Sequence, residues 1–156
     1  SPAPPAADPD ALSMEPDHQF TFAELRPHIE SLASEHGTDP QVMAGIVQQE
    51  STWHNYRVHL DGTGHGLVGL DDHGLLPDFE RWSGLTVGRG ADAEVIPPAL
   101  QLAYLAKTLK SYMRRYGSAY NAARAWHRGE GSWHDAQGHH YEQLIRAHIA
   151  AHYRPG

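Results

Sequence analysis

The sequence predicts an α+β domain that is mostly helical, with one small β region. Three observations carry that prediction. Apolar residues recur at three- and four-residue spacing in several separate segments. Those segments are bracketed by residues that start and stop helices. Five glycines, at positions 62, 64, 66, 69 and 74, gather in one stretch after the second helical segment, where turns and short strands are expected.

The elements follow in order. Thr21 and Glu24 have the spacing of a capping box, and Phe22, Leu25, Ile29 and Leu32 follow at helical intervals up to the stop signal Gly37. Pro27 interrupts that pattern, so the first helix either starts near Pro27 or bends there. The second helix is marked by Asp39 as N-cap and Pro40 at its first position. Val42, Met43, Ile46 and Val47 form its apolar stripe. In the glycine-rich stretch, Gly66-Leu67-Val68-Gly69-Leu70 is a candidate short strand. Residues 73–82 suit a short helix and 83–94 a loop. Pro97-Pro98 opens a long helix whose buried face is Leu102, Leu105, Leu109, Tyr112, Met113 and Tyr116, and Gly117 ends it. Ser118 caps a further helix to about His127, broken by Gly129 and Gly131. A last helix is expected from about His140 to Tyr153, with Tyr141, Leu144, Ile145, His148 and Ile149 turned inward. There is no internal repeat.

Composition narrows the function classes. A chain of 156 residues is one ordinary domain, large enough for a core of its own. No apolar run is long enough to span a membrane. Cysteine is absent, which removes disulfides, thiol nucleophiles and cysteine-based zinc sites together, and leaves the redox compartment open. The 19 acids against 12 bases give −7, the opposite of the balance expected for a nucleic-acid binder. Thirteen histidines would bring the charge to +6 if all were protonated, so the sign changes in mild acid. Residues 1–19 hold five of the 11 prolines, the four acids Asp8, Asp10, Glu15 and Asp17, and no Lys or Arg. They read as a flexible acidic leader, with the domain proper at 20–156. The opening Ser1-Pro2-Ala3-Pro4-Pro5, without a start methionine or signal peptide, suggests a processed product.

Glu50 is the most informative residue. It lies three after Val47, four after Ile46 and seven after Met43, so it continues the apolar stripe. It also falls in the last helical turn, where the helix dipole disfavours a negative charge. One outcome is a glutamate at the edge of the stripe that swings out to solvent. The other is a desolvated acid with a raised pKa, the form a general acid needs to protonate a leaving oxygen. Asp61 and Asp71 follow, in and beside the glycine-rich segment. Glycine-rich turns let backbone approach a ligand, and could hold a carboxylate across a groove from Glu50. One protonated and one ionised carboxylate across a groove is the layout for glycoside hydrolysis. Taken singly, Asp61 is equally an Asp-Gly turn residue, and Asp71 and Asp72 a helix cap.

Three segments carry a family resemblance. Val42-Met43-Ala44-Gly45-Ile46-Val47-Gln48-Gln49-Glu50-Ser51 resembles the Glu-Ser motif of goose-type lysozymes and their lytic transglycosylase relatives, the SLT-domain family. Gly66-Leu67-Val68-Gly69-Leu70-Asp71 resembles the Gly-Leu-Met-Gln segment of that family, and Ala119-Tyr120-Asn121-Ala122 its Ala-Tyr-Asn motif. They occur in the family's order, within a resemblance spanning roughly residues 24–153. It implies a lysozyme-like fold with a small antiparallel β region beside a sugar-binding cleft. It also implies cleavage of the β-1,4 bond between N-acetylmuramic acid and N-acetylglucosamine in bacterial peptidoglycan. By the same resemblance, Glu50 is the catalytic acid, and Asp71, with Asp61 approximately matched, positions the attacking water. Ser51, Tyr120 and Asn121 are substrate-binding candidates, joined by His65 of the glycine-rich segment. Two departures stand out. Met-Gln is replaced by Val68-Gly69, and the small run after Ala-Tyr-Asn contains Arg124.

The aspartate pair favours an inverting muramidase. A lytic transglycosylase, in which the substrate's own 6-hydroxyl attacks to give a 1,6-anhydro product, is the alternative, as are a chitinase-like activity and a non-catalytic wall-binding module. Trp53, Trp82, Trp126 and Trp133 could stack on sugar rings or simply pack in the core. Trp53 is the cleft candidate among them, because it lies three after Glu50. His148 and His152 are four apart, with His139-His140 nearby, but no zinc-protease motif accompanies them, so no metal is expected. Gly62-Thr63-Gly64-His65-Gly66 does not lead from a strand into a helix as a nucleotide loop would. The expectation is a monomeric, cofactor-free enzyme, exported to the extracellular space or periplasm where its substrate lies.

Overall fold

The computed structural model describes residues 11–153. The first ten residues of the expected leader lie outside the described residues. Six helices form the body: α1 (Phe22–His36), α2 (Pro40–Ser51), α3 (Leu75–Ser83), α4 (Pro98–Tyr116), α5 (Ala119–Arg128) and α6 (Ala136–His152). Two small antiparallel sheets accompany them. β1 (His18–Gln19) pairs with β2 (His54–Asn55), and β3 (Gly64–His65) pairs with β4 (Leu70–Asp71). This is the mostly helical α+β, lysozyme-like architecture that the sequence predicts.

Local chemistry sets most boundaries. The Thr21–Glu24 capping box forms in both directions, so α1 starts at Phe22 and runs through Pro27. Pro27 is on the exposed face, where it forfeits one backbone hydrogen bond without disturbing the core. Asp39 accepts from the amides of Gln41 and Val42, with Pro40 at the first helical position. Asp135 caps α6 through Gly138, which starts that helix four residues before the expected His140.

α2 is the pivot of the body, packed against α1 on one side and α6 on the other, while α5 bridges α4 and α6. Leu25, Ile29, Met43, Ile46, Leu102, Leu105 and Ile145 are completely buried at these contacts. On α4 the expected Leu102, Leu105 and Leu109 are buried, while Tyr112 and Met113 pack half-buried against the core and Tyr116 lies half-buried beside Trp133.

Two sequence expectations are corrected here. Of the expected strand 66–70 only Leu70 is one, as the first residue of β4, and residues 66–69 are not. Gly66 and Gly69 have φ of 77° and 71°, which a continuous strand cannot accommodate, so the segment is the turn joining β3 to β4. His18 and Gln19, grouped by composition with the leader, belong to a strand instead, and the amide of Arg57 donates to Asp17 at 2.8 Å. No helix among the described residues is long and apolar enough to cross a membrane.

Candidate active site

A cleft of about 740 Å³ runs between the β3–β4 wall and the α4–α5 helices. Glu50, at the end of α2, lies in it with Asp61 and Asp71. The position of Glu50 follows from the apolar stripe. Val42, Met43, Ile46 and Val47 are fully buried and turn the last turn of the helix inward.

Burial pushes the Glu50 carboxyl up to about 7. The Tyr141 hydroxyl, which donates to it at 3.4 Å, opposes this, and the Asp61 charge adds to it. Tyr141 comes from the inward face of α6 and is itself held far above the ordinary phenol range by burial. Asp61 goes the other way. Its carboxylate accepts from the amides of Gly64 and Thr63 at 2.9 and 2.8 Å, and these bonds hold its pKa below the usual carboxylate range. At neutral pH the cleft therefore holds an ionised Asp61 and a Glu50 poised between its acid and its anion. Asp71, at the end of β4, accepts from the amide of His73 at 2.9 Å and lines the same cleft.

The turn beside Glu50 is locked from behind. Ser51 is buried and donates to the carbonyls of Leu67 (2.7 Å) and Val47 (3.1 Å). Gln101, completely buried on α4, accepts from the amide of Leu67 at 2.7 Å and donates to Asn55 and the carbonyl of Ile96. Trp126 donates to the carbonyl of Val68 at 3.3 Å. With its polar partners supplied, the turn presents Gly69 to Glu50. A Cβ on Gly69 would stand 3.1 to 3.2 Å from three atoms of the Glu50 side chain. A side chain at this departure from the family pattern would crowd the acid by a few tenths of an ångström and strain the left-handed backbone of Gly69, whose φ is 71°.

The structure redistributes the other candidates. Ser51 braces the turn from behind and does not line the cleft. His65 is completely buried, its Nδ1 facing the carbonyl of Arg57 at 2.9 Å and its Nε2 facing Asp72 at 2.6 Å, which makes it part of the wall's framework. Trp53 also lies away from the cleft. α2 ends at Ser51, and Thr52 and Trp53 both take left-handed φ (51° and 68°), so the helical three-residue spacing to Glu50 no longer applies. Its ring packs instead on Phe22 at the back of α2.

Tyr120 and Asn121 are likewise outside the cleft. Arg146 covers the Tyr120 ring at 3.6 Å, and Asn121 donates to the carbonyl of Tyr116. It is the other end of α5 that faces Glu50. Ala125, Trp126, His127, Arg128 and Gly129 line the cleft, six residues beyond the expected positions. The His127 ring stacks on Tyr141, 4.2 Å between centroids and 5° from parallel, and burial lowers its pKa. The signal for this segment was in the sequence. Ala125-Trp126-His127 is followed by the glycine-containing run Arg128-Gly129-Glu130-Gly131, which Ala119-Tyr120-Asn121 lacks. Gln101 was legible as a polar residue on the buried face of α4, and Tyr141 as an inward aromatic with a polar handle.

Among the described residues no group of three or more His, Asp or Glu side chains is arranged to hold a metal ion. A near-neutral carboxylic acid at a helix end, facing carboxylates on a small β wall, is a glycosidase arrangement of the lysozyme kind. Residues 27–149 match the family model described as the transglycosylase SLT domain, and the chain belongs to that family. The family acts on peptidoglycan, so the cleft is that of a peptidoglycan-cleaving, glycosidase-like enzyme. No curated protein matches the chain significantly.

Proposed function

We propose that the protein is a muramidase that hydrolyses the β-1,4 bond between N-acetylmuramic acid and N-acetylglucosamine with inversion. Glu50, protonated, gives its proton to the glycosidic oxygen as the bond to the sugar breaks. Asp71, with Asp61, orients a water on the opposite face of the sugar and takes its proton as the oxygen bonds to the anomeric carbon. The observation that supports this reading is the division of states within one cleft. Burial keeps Glu50 near neutrality, while backbone donors keep Asp61 ionised. The cleft supplies both groups from a single chain, so the enzyme acts as a monomer, outside the cytoplasm where its polymer lies.

A second reading has its own support. The carboxylate oxygen Oδ1 of Asp61 is already engaged by two backbone amides, and a carboxyl titrating near 7 can serve as acid and then as base. Glu50 alone would then carry a lytic transglycosylase reaction, in which the sugar's 6-hydroxyl attacks. Mass spectrometry of digested peptidoglycan separates the two. Hydrolysis gives reducing muramic acid ends, abolished in Glu50→Gln and strongly reduced in Asp71→Asn. Products ending in 1,6-anhydro sugars, formed undiminished by Asp71→Asn, overturn the hydrolase reading.

A further inference from the structure

The α3–α4 end of the cleft holds an unbalanced cation. Arg115 and Arg128 line the cleft but are paired, with Glu130 and Asp135 respectively. Lys107 lines it too, and among the described residues no carboxylate lies within 4.0 Å of its ammonium. The ammonium lies instead 5.4 Å from the ring centre of Tyr104 and 5.8 Å from that of Trp82. Trp82 is not one of the residues lining the cleft but borders this end of it through Lys107, and it packs on Phe79 and Tyr104 while staying 39% exposed. Asp78, one turn before Trp82, is the carboxylate on the facing helix. It is occupied, accepting from the Tyr104 hydroxyl at 2.6 Å and facing Arg81 at 3.5 Å.

We propose that this end of the cleft is a subsite for the stem-bearing muramyl unit of peptidoglycan. Lys107 pairs with a free carboxylate of the peptide stem, and the exposed Trp82 ring carries the apolar face of the sugar. The proposal rests on the peptidoglycan-cleaving reading of the cleft and adds to it a preference for the stem. The chemistry is complementary. The N-acetylated sugar backbone is neutral, whereas the stem carries carboxylates, and an ammonium held on an aromatic shelf without a counter-charge awaits one. Such a contact reads the substrate's side arm, not the bond that is cut, so it acts on affinity.

Binding to the uncleaving Glu50→Gln protein tests this, with and without Lys107→Met. Three ligands are compared: stem-bearing glycan, amidase-stripped glycan that keeps only the lactyl carboxylate, and neutral chitotetraose. Loss of one partly exposed ion pair predicts about fivefold weaker binding of the stem-bearing glycan. Chitotetraose binding should shift by less than about twofold, and Lys107→Arg should restore most of the loss. The stem preference should also shrink with added salt. Equal weakening for all three ligands, no weakening for any, or weakening confined to the stripped glycan overturns the proposal. Release of sugar ends by the wild-type protein is scored separately. The subsite can therefore fail while the enzymatic reading stands, and the reverse.

Discussion

The two flanks of the cleft position their carboxylates by different physics. On the helical flank, Glu50 is set by the apolar stripe of α2 and by α6, and burial decides its protonation. On the β flank, Asp61 and Asp71 are set by turns in which their own oxygens accept backbone amides. Desolvation drives one carboxyl towards the neutral acid, and hydrogen bonds hold the other as the anion. A small domain thereby obtains two protonation states from one type of group. Each state is bought with the kind of structure that its flank already contains.

The contrast is broken most severely by removing the acid. Glu50→Gln keeps the shape and removes the proton, and should lower the rate on peptidoglycan about 10³-fold, within the range for a general acid. Full activity in that variant would place the acid elsewhere. The same substitution should improve stability. Glu50 is protonated in the fold up to about pH 7 and ionised in the unfolded chain above its ordinary 4.5. The fold therefore loses stability as pH rises through that window, on the order of 3 kcal/mol when complete. Denaturant titrations of the wild type and Glu50→Gln should match near pH 4 and diverge by pH 8, with the variant the more stable. Equal stability across the range would mean that burial does not penalise the anion.

On the β flank, Asp71→Asn should cost about 10²-fold in rate, as for loss of a general base. The smallest effects have opposite signs on the two flanks. Tyr141→Phe removes a donor to the Glu50 anion, so the alkaline limb of the pH–rate profile moves up. Asp61→Asn keeps the turn's acceptor but removes a like charge, so that limb moves down. Each displacement should be within about one pH unit. Shifts in the same direction would contradict the assigned causes.

The helical flank was far more legible in the sequence than the β flank. Helical periodicity carries Glu50 onto the stripe, and caps at Thr21, Asp39 and Ser118 are local signals that need no tertiary information. Of the expected strand at 66–70 only Leu70 pairs in a sheet, because Leu67 and Val68 are buried by the turn's packing and two positive-φ glycines set the path. Trp53 failed because a helix end cancels the spacing on which it depended. The displacement from Tyr120 and Asn121 to Trp126 and His127 has a different origin. Both ends of α5 carry an alanine-aromatic-polar triplet, and only the tertiary placement of α5 decides which end meets Glu50. The bracing by Gln101 and Ser51 needs contacts across 34 and 16 residues, beyond the reach of any local pattern.

The proposed chemistry depends most on the protonation of Glu50. Carbon-detected NMR titration of its side-chain carboxyl, assigned by loss of the signal in Glu50→Gln, reads this directly. A midpoint near 7 is predicted. A midpoint at the ordinary glutamate value of about 4.5 would contradict it, because the cleft would then hold no neutral acid at the pH where a sugar bond must be protonated.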